Sequence, residues 1–209
     1  MRRHYIILLV FMTGFLNISS NLETLDDPKM ILCYGNSITA GHGLDPEYAY
    51  PHVLEQLLNE KGYNYTVINA GLSGETSAGG LTRIDWILRN KVDIFILELG
   101  ANDGLRGLPL IQTRSNLASI IKKVLKKYPE VEIVIAGMMV PPNMGNDYSN
   151  EFMYLYTELA TEFDALLIPF LLDGVGGVPE LNLSDGIHPN IEGQKIVAEN
   201  VFNAIKGIL

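Results

Sequence analysis

Between residues 30 and 168 the chain repeats one pattern: a short apolar run, a polar or glycine-rich turn, then a stretch with apolar residues at helical spacing. An apolar run of four to eight residues is too short for a helix and reads as a strand buried on both faces. Five such runs occur, at residues 30–34, 65–69, 92–99, 131–136 and 165–168, the third apolar apart from Asp93 and Glu98. Between them the spacing predicts a helix over 46–61, with Val53, Leu54, Leu57 and Leu58 on one face and Gly62 ending it. A second helix opens after Gly79-Gly80 and carries Leu81, Ile84 and Leu88. A third, over 110–128, turns Leu117, Ile120, Ile121, Val124 and Leu125 inward and gathers lysines at its C-terminal end, where the helix dipole favours them. Two more follow over 148–163 and 190–208. Buried strands alternating with helices require crossover connections, so the expected fold is α/β: one parallel sheet with helices on both faces.

The chain has 209 residues, 47% apolar and 19% charged, with Gly and Pro scattered without period. That is the composition of one globular domain, neither disordered nor collagen-like. A single Cys excludes a disulfide scaffold and any cysteine-cluster metal site. Fifteen Lys+Arg against 24 Asp+Glu give a net charge of −9 with no basic block, which argues against a nucleic-acid partner. Met1-Arg2-Arg3-His4 is a basic start, residues 5–16 are mostly apolar, and Asn17-Ile18-Ser19-Ser20 is small and polar. This is the pattern of a secretory signal peptide over 1–20, with an uncleaved anchor as the alternative, followed by a single domain over 21–209. The expected protein is exported, periplasmic or secreted, with no stable membrane insertion once the signal is removed. No Cys follows the apolar run, which disfavours a lipid anchor.

In a sheet of this kind ligands sit beyond the carboxyl ends of the strands. Four polar loops fall there: Gly35-Asn36-Ser37-Ile38-Thr39-Ala40-Gly41, Asn69-Ala70-Gly71-Leu72-Ser73-Gly74-Glu75, Gly100-Ala101-Asn102-Asp103-Gly104, and Asp185-Gly186-Ile187-His188-Pro189 before the last helix. Attack on an acyl carbon needs a nucleophile, a base in hydrogen-bond reach, a group that orients the base, and donors aimed at the developing oxyanion. Ser37, His188 and Asp185 can fill the first three roles, since three residues allow a tight turn to set the Asp185 carboxylate beside the imidazole. Each residue also has a plainer reading. Ser37 can be a helix cap, His188 a turn residue before Pro189, Asn102 a turn former, and Gly71 a position that needs positive φ. His42 and His52 have no partner at an informative spacing, and Cys33 reads as a buried core thiol.

Taken together, Gly35-Asn36-Ser37-Ile38, Gly71, Gly100-Ala101-Asn102-Asp103 and Asp185-Gly186-Ile187-His188-Pro189 resemble, in order, the four blocks of the SGNH (GDSL-type) hydrolases. Asp103-Gly104-Leu105-Arg106-Gly107, Pro141-Pro142-Asn143 and Leu181-Asn182-Leu183-Ser184 resemble the arylesterase, acyl-CoA thioesterase I and lysophospholipase L1 branch. The resemblance implies a three-layer α/β/α sandwich with a flavodoxin-like five-stranded parallel sheet. It implies Ser37 as nucleophile, His188 as general base and Asp185 as orienting carboxylate. Its oxyanion hole would be the backbone N–H groups of Ser37 and Gly71 and the side-chain amide of Asn102. No metal or organic cofactor is implied, and the substrate would be a small-molecule acyl ester, thioester or lysophospholipid. One departure is visible: Asn36 stands where the family's motif has Asp.

The same loops admit rivals. A sugar O-acetyl esterase falls within the wider family. A flavodoxin-like binding module for a nucleotide, flavin or carbohydrate would keep the fold without the chemistry, although no Gly-x-x-x-x-Gly-Lys is present and no Gly-x-Gly-x-x-Gly follows a strand. A metal-dependent phosphoesterase would use Asp103, Asp185 and His188. Residues 72–80 read either as a lid or as a plain solvated loop, and Leu105, Leu108, Pro109, Val140 and Pro141 either as an acyl channel or as ordinary packing.

Overall fold

A computed structural model describes residues 27–209, so the expected signal peptide lies outside the described residues. The five apolar runs form the five strands: β1 (Lys29–Gly35), β2 (Tyr65–Gly71), β3 (Ile94–Glu98), β4 (Glu132–Ala136) and β5 (Leu166–Ile168). All pair in parallel, in the order β2-β1-β3-β4-β5. β3 is buried along its whole length and β1 from Ile31 onward, as central strands covered on both faces must be. Each fully buried Ile, Leu or Phe on them contributes roughly 1.5–3 kcal/mol of transfer free energy.

Seven α-helices are present among the described residues: α1 (Ser37–Ala40), α2 (Tyr50–Glu60), α3 (Ser77–Ile87), α4 (Ala101–Leu105), α5 (Leu110–Lys127), α6 (Asn146–Phe163) and α7 (Ile191–Ile205). α2 packs on α7, while α3, α5 and α6 pack in series, giving two helical layers around the sheet. None of the helices among the described residues is long and apolar enough to cross a membrane.

Three boundaries differ from the sequence reading. The helix expected over 46–61 breaks at Ala49, which is extended (φ −66°, ψ 142°), leaving a 3₁₀ turn at Pro46–Tyr48 and α2 behind it. Pro51 explains the break, because a proline ring inside a continuous helix clashes with the carbonyl four residues earlier, whereas the first turn tolerates it. Gly79 and Gly80 lie within α3 instead of preceding it, since Thr76 caps the helix by accepting the Gly79 N–H. A Cβ on Gly80 would come 2.4 Å from Leu99 Cδ1, so the missing side chain lets α3 approach the sheet, where the Tyr34 hydroxyl donates to the Gly80 carbonyl. Finally, α1 and α4 are single turns that no periodicity announces, and each follows directly on a central strand.

The chain adds β2 on one side of β1 and then β3 on the other. The loops leaving β1 and β3 therefore diverge at that point, which is where such sheets open a crevice.

Candidate active site

Ser37 opens α1 immediately after β1. Its position is set from beneath by Asn36, whose side-chain Oδ1 caps the helix by accepting the Ile38 N–H at 3.2 Å and also accepts from the Ser37 hydroxyl at 3.3 Å. The whole turn rests on Glu98, the last residue of β3, which lies opposite Gly35 in the strand register. Glu98 is fully buried, and its Oε2 accepts the Asn36 N–H (3.0 Å), the Thr39 N–H (3.3 Å) and the Thr39 hydroxyl (2.8 Å). Burial pushes the Glu98 carboxyl up to about 7, against the opposing pull of those hydrogen bonds. Two buried polar atoms here lack partners, Glu98 Oε1 and Asn36 Nδ2. The Asn36 amide, which stands where the family's motif has Asp, nonetheless favours the ionised Glu98 carboxyl and so opposes the effect of burial.

His188 reaches the same place from the far end of the sequence. The structure sets His188 Nε2 2.9 Å from Ser37 Oγ and His188 Nδ1 2.7 Å from Asp185 Oδ2. Asp185 Oδ1 accepts the N–H groups of Ile187 (2.8 Å) and His188 (3.0 Å), closing the tight turn that the three-residue spacing suggested. The backbone and ring bonds from His188, with that from Ile187, hold the Asp185 carboxyl well below the usual carboxylate range. Asp185 and His188 remain partly exposed, at 39% and 17% of their side chains.

Asn102 stands in α4. Gly100 makes the turn into that helix with φ +108°, and a Cβ there would lie 2.6 Å from the Tyr156 hydroxyl, so only glycine fits. The Asn102 amide donates one proton to the Glu75 carbonyl at 3.1 Å, and its second has no partner among the described residues. Gly71 comes from the strand next to β1. It ends β2, and its N–H is taken by Asn69 Oδ1 at 2.9 Å. A Cβ at Gly71 would sit 2.2 Å from the Ala40 nitrogen, so this glycine is what lets α1 lie against the end of β2. In the same loop the Gly74 N–H has no partner among the described residues, nor does the Ser37 N–H at the start of α1.

The segment expected as a lid is tied down. Residues 77–80 are helix, and the rest is fastened by the Glu75–Arg83 ion pair (2.5 Å), by Asn102 on the Glu75 carbonyl and by Arg106 on the Gly74 carbonyl at 3.1 Å. Asp103 is buried at the start of α4 and turns away. Its oxygens accept the N–H (2.8 Å) and hydroxyl (2.5 Å) of Ser77 and the hydroxyl of Thr113 (3.3 Å), so it braces α4 against α3 and α5 and is not grouped with Asp185 and His188. Of the expected channel residues, Leu105 and Leu108 are exposed while Val140 is core, in contact range of any Cβ at Gly104. Cys33 is buried on β1, and burial pushes its thiol up to about 12, which leaves it inert.

Sequence reasoning passed over two neighbours of this cluster. Glu98 was visible as a charge in an apolar strand, but only the sheet order places it under Ser37. His42 stands beside His188, with ring centroids 4.5 Å apart. Gly41, at φ +72°, ends α1 in a Schellman turn, with Gly41 N–H on the Ile38 carbonyl and His42 N–H on the Ser37 carbonyl. That turn folds residue 42 back over the serine.

Comparison with known proteins places the chain in a family. The sequence matches the GDSL-like lipase/acylhydrolase family over residues 33–196. It is 39% identical over 182 residues to esterase TesA of Pseudomonas aeruginosa, covering 87% of this chain and 90% of that one. It is 37% identical over 171 residues to thioesterase 1/protease 1/lysophospholipase L1 of Escherichia coli, covering 81% and 79%. The crystal structure of TesA superposes with a TM-score of 0.82 at 39% identity, covering 87% of this chain and all of that one. The four sequence blocks, the β2-β1-β3-β4-β5 sheet and these matches agree: the chain belongs to the GDSL-like lipase/acylhydrolase family and is a carboxylic ester hydrolase of the SGNH type.

Proposed function

We propose that the protein hydrolyses acyl esters and thioesters through a Ser37–His188–Asp185 triad and an acyl-enzyme. The observation that carries this reading is the unbroken chain of contacts from Asp185 Oδ2 to His188 Nδ1 (2.7 Å) and from His188 Nε2 to Ser37 Oγ (2.9 Å). An ionised Asp185 accepts the Nδ1 proton, which leaves the Nε2 lone pair facing the serine. Ser37 Oγ attacks the acyl carbon as its proton passes to His188 Nε2. His188 then protonates the departing alcohol or thiol, and the bond from carbonyl carbon to leaving group breaks. A water molecule, deprotonated by the same nitrogen, attacks the acyl-serine and releases the carboxylic acid.

The oxyanion needs donors already in place. The Ser37 N–H and the second amide proton of Asn102 fit that role because neither has a partner among the described residues. For the third loop, Gly71 can donate only by breaking its bond to Asn69, so the Gly74 N–H is the donor we assign. Support for an acyl substrate comes from Leu72, Leu105, Leu108, Met139 and Ile187, exposed apolar side chains on the loops beyond the strand ends and, for Leu105, at the end of α4. The printed names of the relatives, esterase and thioesterase/lysophospholipase, support the same class. The basic-then-apolar pattern of residues 1–20 supports export to the periplasm or medium, and N-terminal sequencing of the native protein tests it.

The deciding experiment pairs a serine-directed fluorophosphonate with p-nitrophenyl esters of increasing chain length and a lysophospholipid. Ser37 is the expected labelled residue, and Ser37→Ala should lose hydrolysis of every substrate by on the order of 10⁶ in kcat. Labelling at Ser73 or Ser77 would remove Ser37 from the mechanism.

A further inference from the structure

His42 has no step in the proposed hydrolysis, yet the backbone fixes it beside the base. The Schellman turn after α1 brings it over Ser37, and its ring lies against that of His188 with the planes inclined at 44°. One ligating atom each from His42, Asp185 and His188 can be chosen so that all three lie within 4.8 Å of one another. Two imidazoles and one carboxylate form the donor set of zinc or copper, whereas magnesium and calcium take oxygen ligands. Around a tetrahedral zinc ion the ligand atoms stand roughly 3.4 Å apart. Asp185 and His188 are already in contact, so the closing movement falls to His42, whose side chain is exposed. A His–Asp pair alone offers two ligands on one turn. The third, from a different loop, makes a chelate.

We propose that His42, Asp185 and His188 bind a borderline transition-metal dication, with Zn²⁺ as the probe, and that its occupation stops hydrolysis. The ion takes an imidazole lone pair and a carboxylate oxygen that the triad requires, leaving His188 unable to accept the Ser37 proton. No bond of the protein is made or broken beyond coordination, so the block is reversible. The binding half depends only on the geometry of the three side chains. The inhibitory half rests on His188 being the base.

The test titrates zinc chloride, in buffer free of chelator and thiol, against p-nitrophenyl acetate hydrolysis by the wild type and by His42→Phe. In parallel, calorimetry follows zinc binding to Ser37→Ala, which keeps all three ligands, and to Ser37→Ala/His42→Phe. The wild type should be inhibited, recover fully in EDTA and ignore magnesium, and Ser37→Ala should bind one equivalent. His42→Phe keeps an aromatic ring against His188 and replaces an exposed side chain, so its zinc-free rate should stay within about twofold. It should need at least about tenfold more zinc for half-inhibition, the loss that even an outer supporting residue of a metal site produces. Equal zinc sensitivity in wild type and His42→Phe, or no binding to Ser37→Ala, overturns the site. Zinc that binds through His42 and leaves hydrolysis intact overturns the inhibition and the assignment of His188 as base, while the binding site itself stands.

Discussion

The two halves of the candidate catalytic cluster are held in opposite ways. The nucleophile turn is buried and restrained from several elements at once: Asn36 and Thr39 are 1% and 0% exposed, and both bond to a carboxylate on a neighbouring strand. The base loop is partly open to solvent and holds itself, with Asp185 satisfying the Ile187 and His188 N–H groups and the imidazole within a single turn. The difference separates two tasks. The serine must be placed to a fraction of an ångström, and a buried network does that. In the mechanism we propose, the imidazole gains and loses a proton in every turnover, which a short-range carboxylate supports without desolvating the charge that forms. Disturbing the first half should therefore change folding, and disturbing the second should change chemistry.

The sharpest way to break the contrast is Asp185→Asn. An amide at that position cannot hold the Nδ1–H tautomer, so kcat should fall by on the order of 10⁴. The fold should survive, since the affected contacts are local and partly exposed, and circular dichroism with thermal unfolding checks this. A variant that unfolds instead would show the base loop to be structural. The carboxyl of Asp185 is held well below its usual range, so its stabilising contribution is present at neutral pH and lost only as pH falls through that lowered value. It therefore stays ionised throughout the range in which rates are measured.

A smaller effect is expected at the border between the halves. Asn102→Ala should lower kcat by about 10²–10³ with little change in KM, because a donor aimed at the oxyanion acts mainly in the transition state. A change confined to KM would place Asn102 in substrate binding. The amide also anchors the Glu75 carbonyl, so faster amide hydrogen exchange in the loop after β2 should accompany the loss.

The smallest catalytic effect belongs to Glu98→Gln, which instead sharpens the folding side of the contrast. Glu98 titrates at about 7 in the fold against an ordinary value of 4.5. Between those values the unfolded chain has released the proton and the folded one retains it. Wild-type stability must therefore fall as pH rises through that window and level off above it. Relative to Glu98→Gln the decline should be on the order of 3 kcal/mol at most, read by urea unfolding from pH 4 to 8. A difference between the two proteins that is constant across the window would mean that Glu98 keeps an ordinary titration in the fold.

Much of this arrangement was legible in the residues. Apolar runs of strand length located all five strands because a strand buried on both faces leaves a continuous signal. Ser37, Asp185, His188 and Asn102 stood out because polar residues gathered at the ends of those runs. What was hidden depended on distances that sequence does not carry. α1 and α4 have four and five residues, too few for any period. Glu98 matters only because β3 lies next to β1, and His42 only because Gly41 reverses the chain. Nor does the sequence announce that the Gly71 N–H is taken by Asn69, two residues earlier. The glycine's part is steric, under the backbone of α1.

Ser37 and His188 meet across 151 residues of sequence, and α7, just beyond the histidine, is joined to α2 by Gln194 Oε1 accepting the Tyr50 N–H across 144. That separation sets an order in time. On a chain emerging N-terminus first, the serine, its cap and Glu98 are all present while the base has yet to be made. On the proposed triad, any chain stalled or clipped before residue 185 carries Ser37 without the His188 that would take its proton. In the mechanism we propose, hydrolytic competence requires that last loop and helix to dock, so release of p-nitrophenol during refolding should lag, not lead, the recovery of bulk helix content.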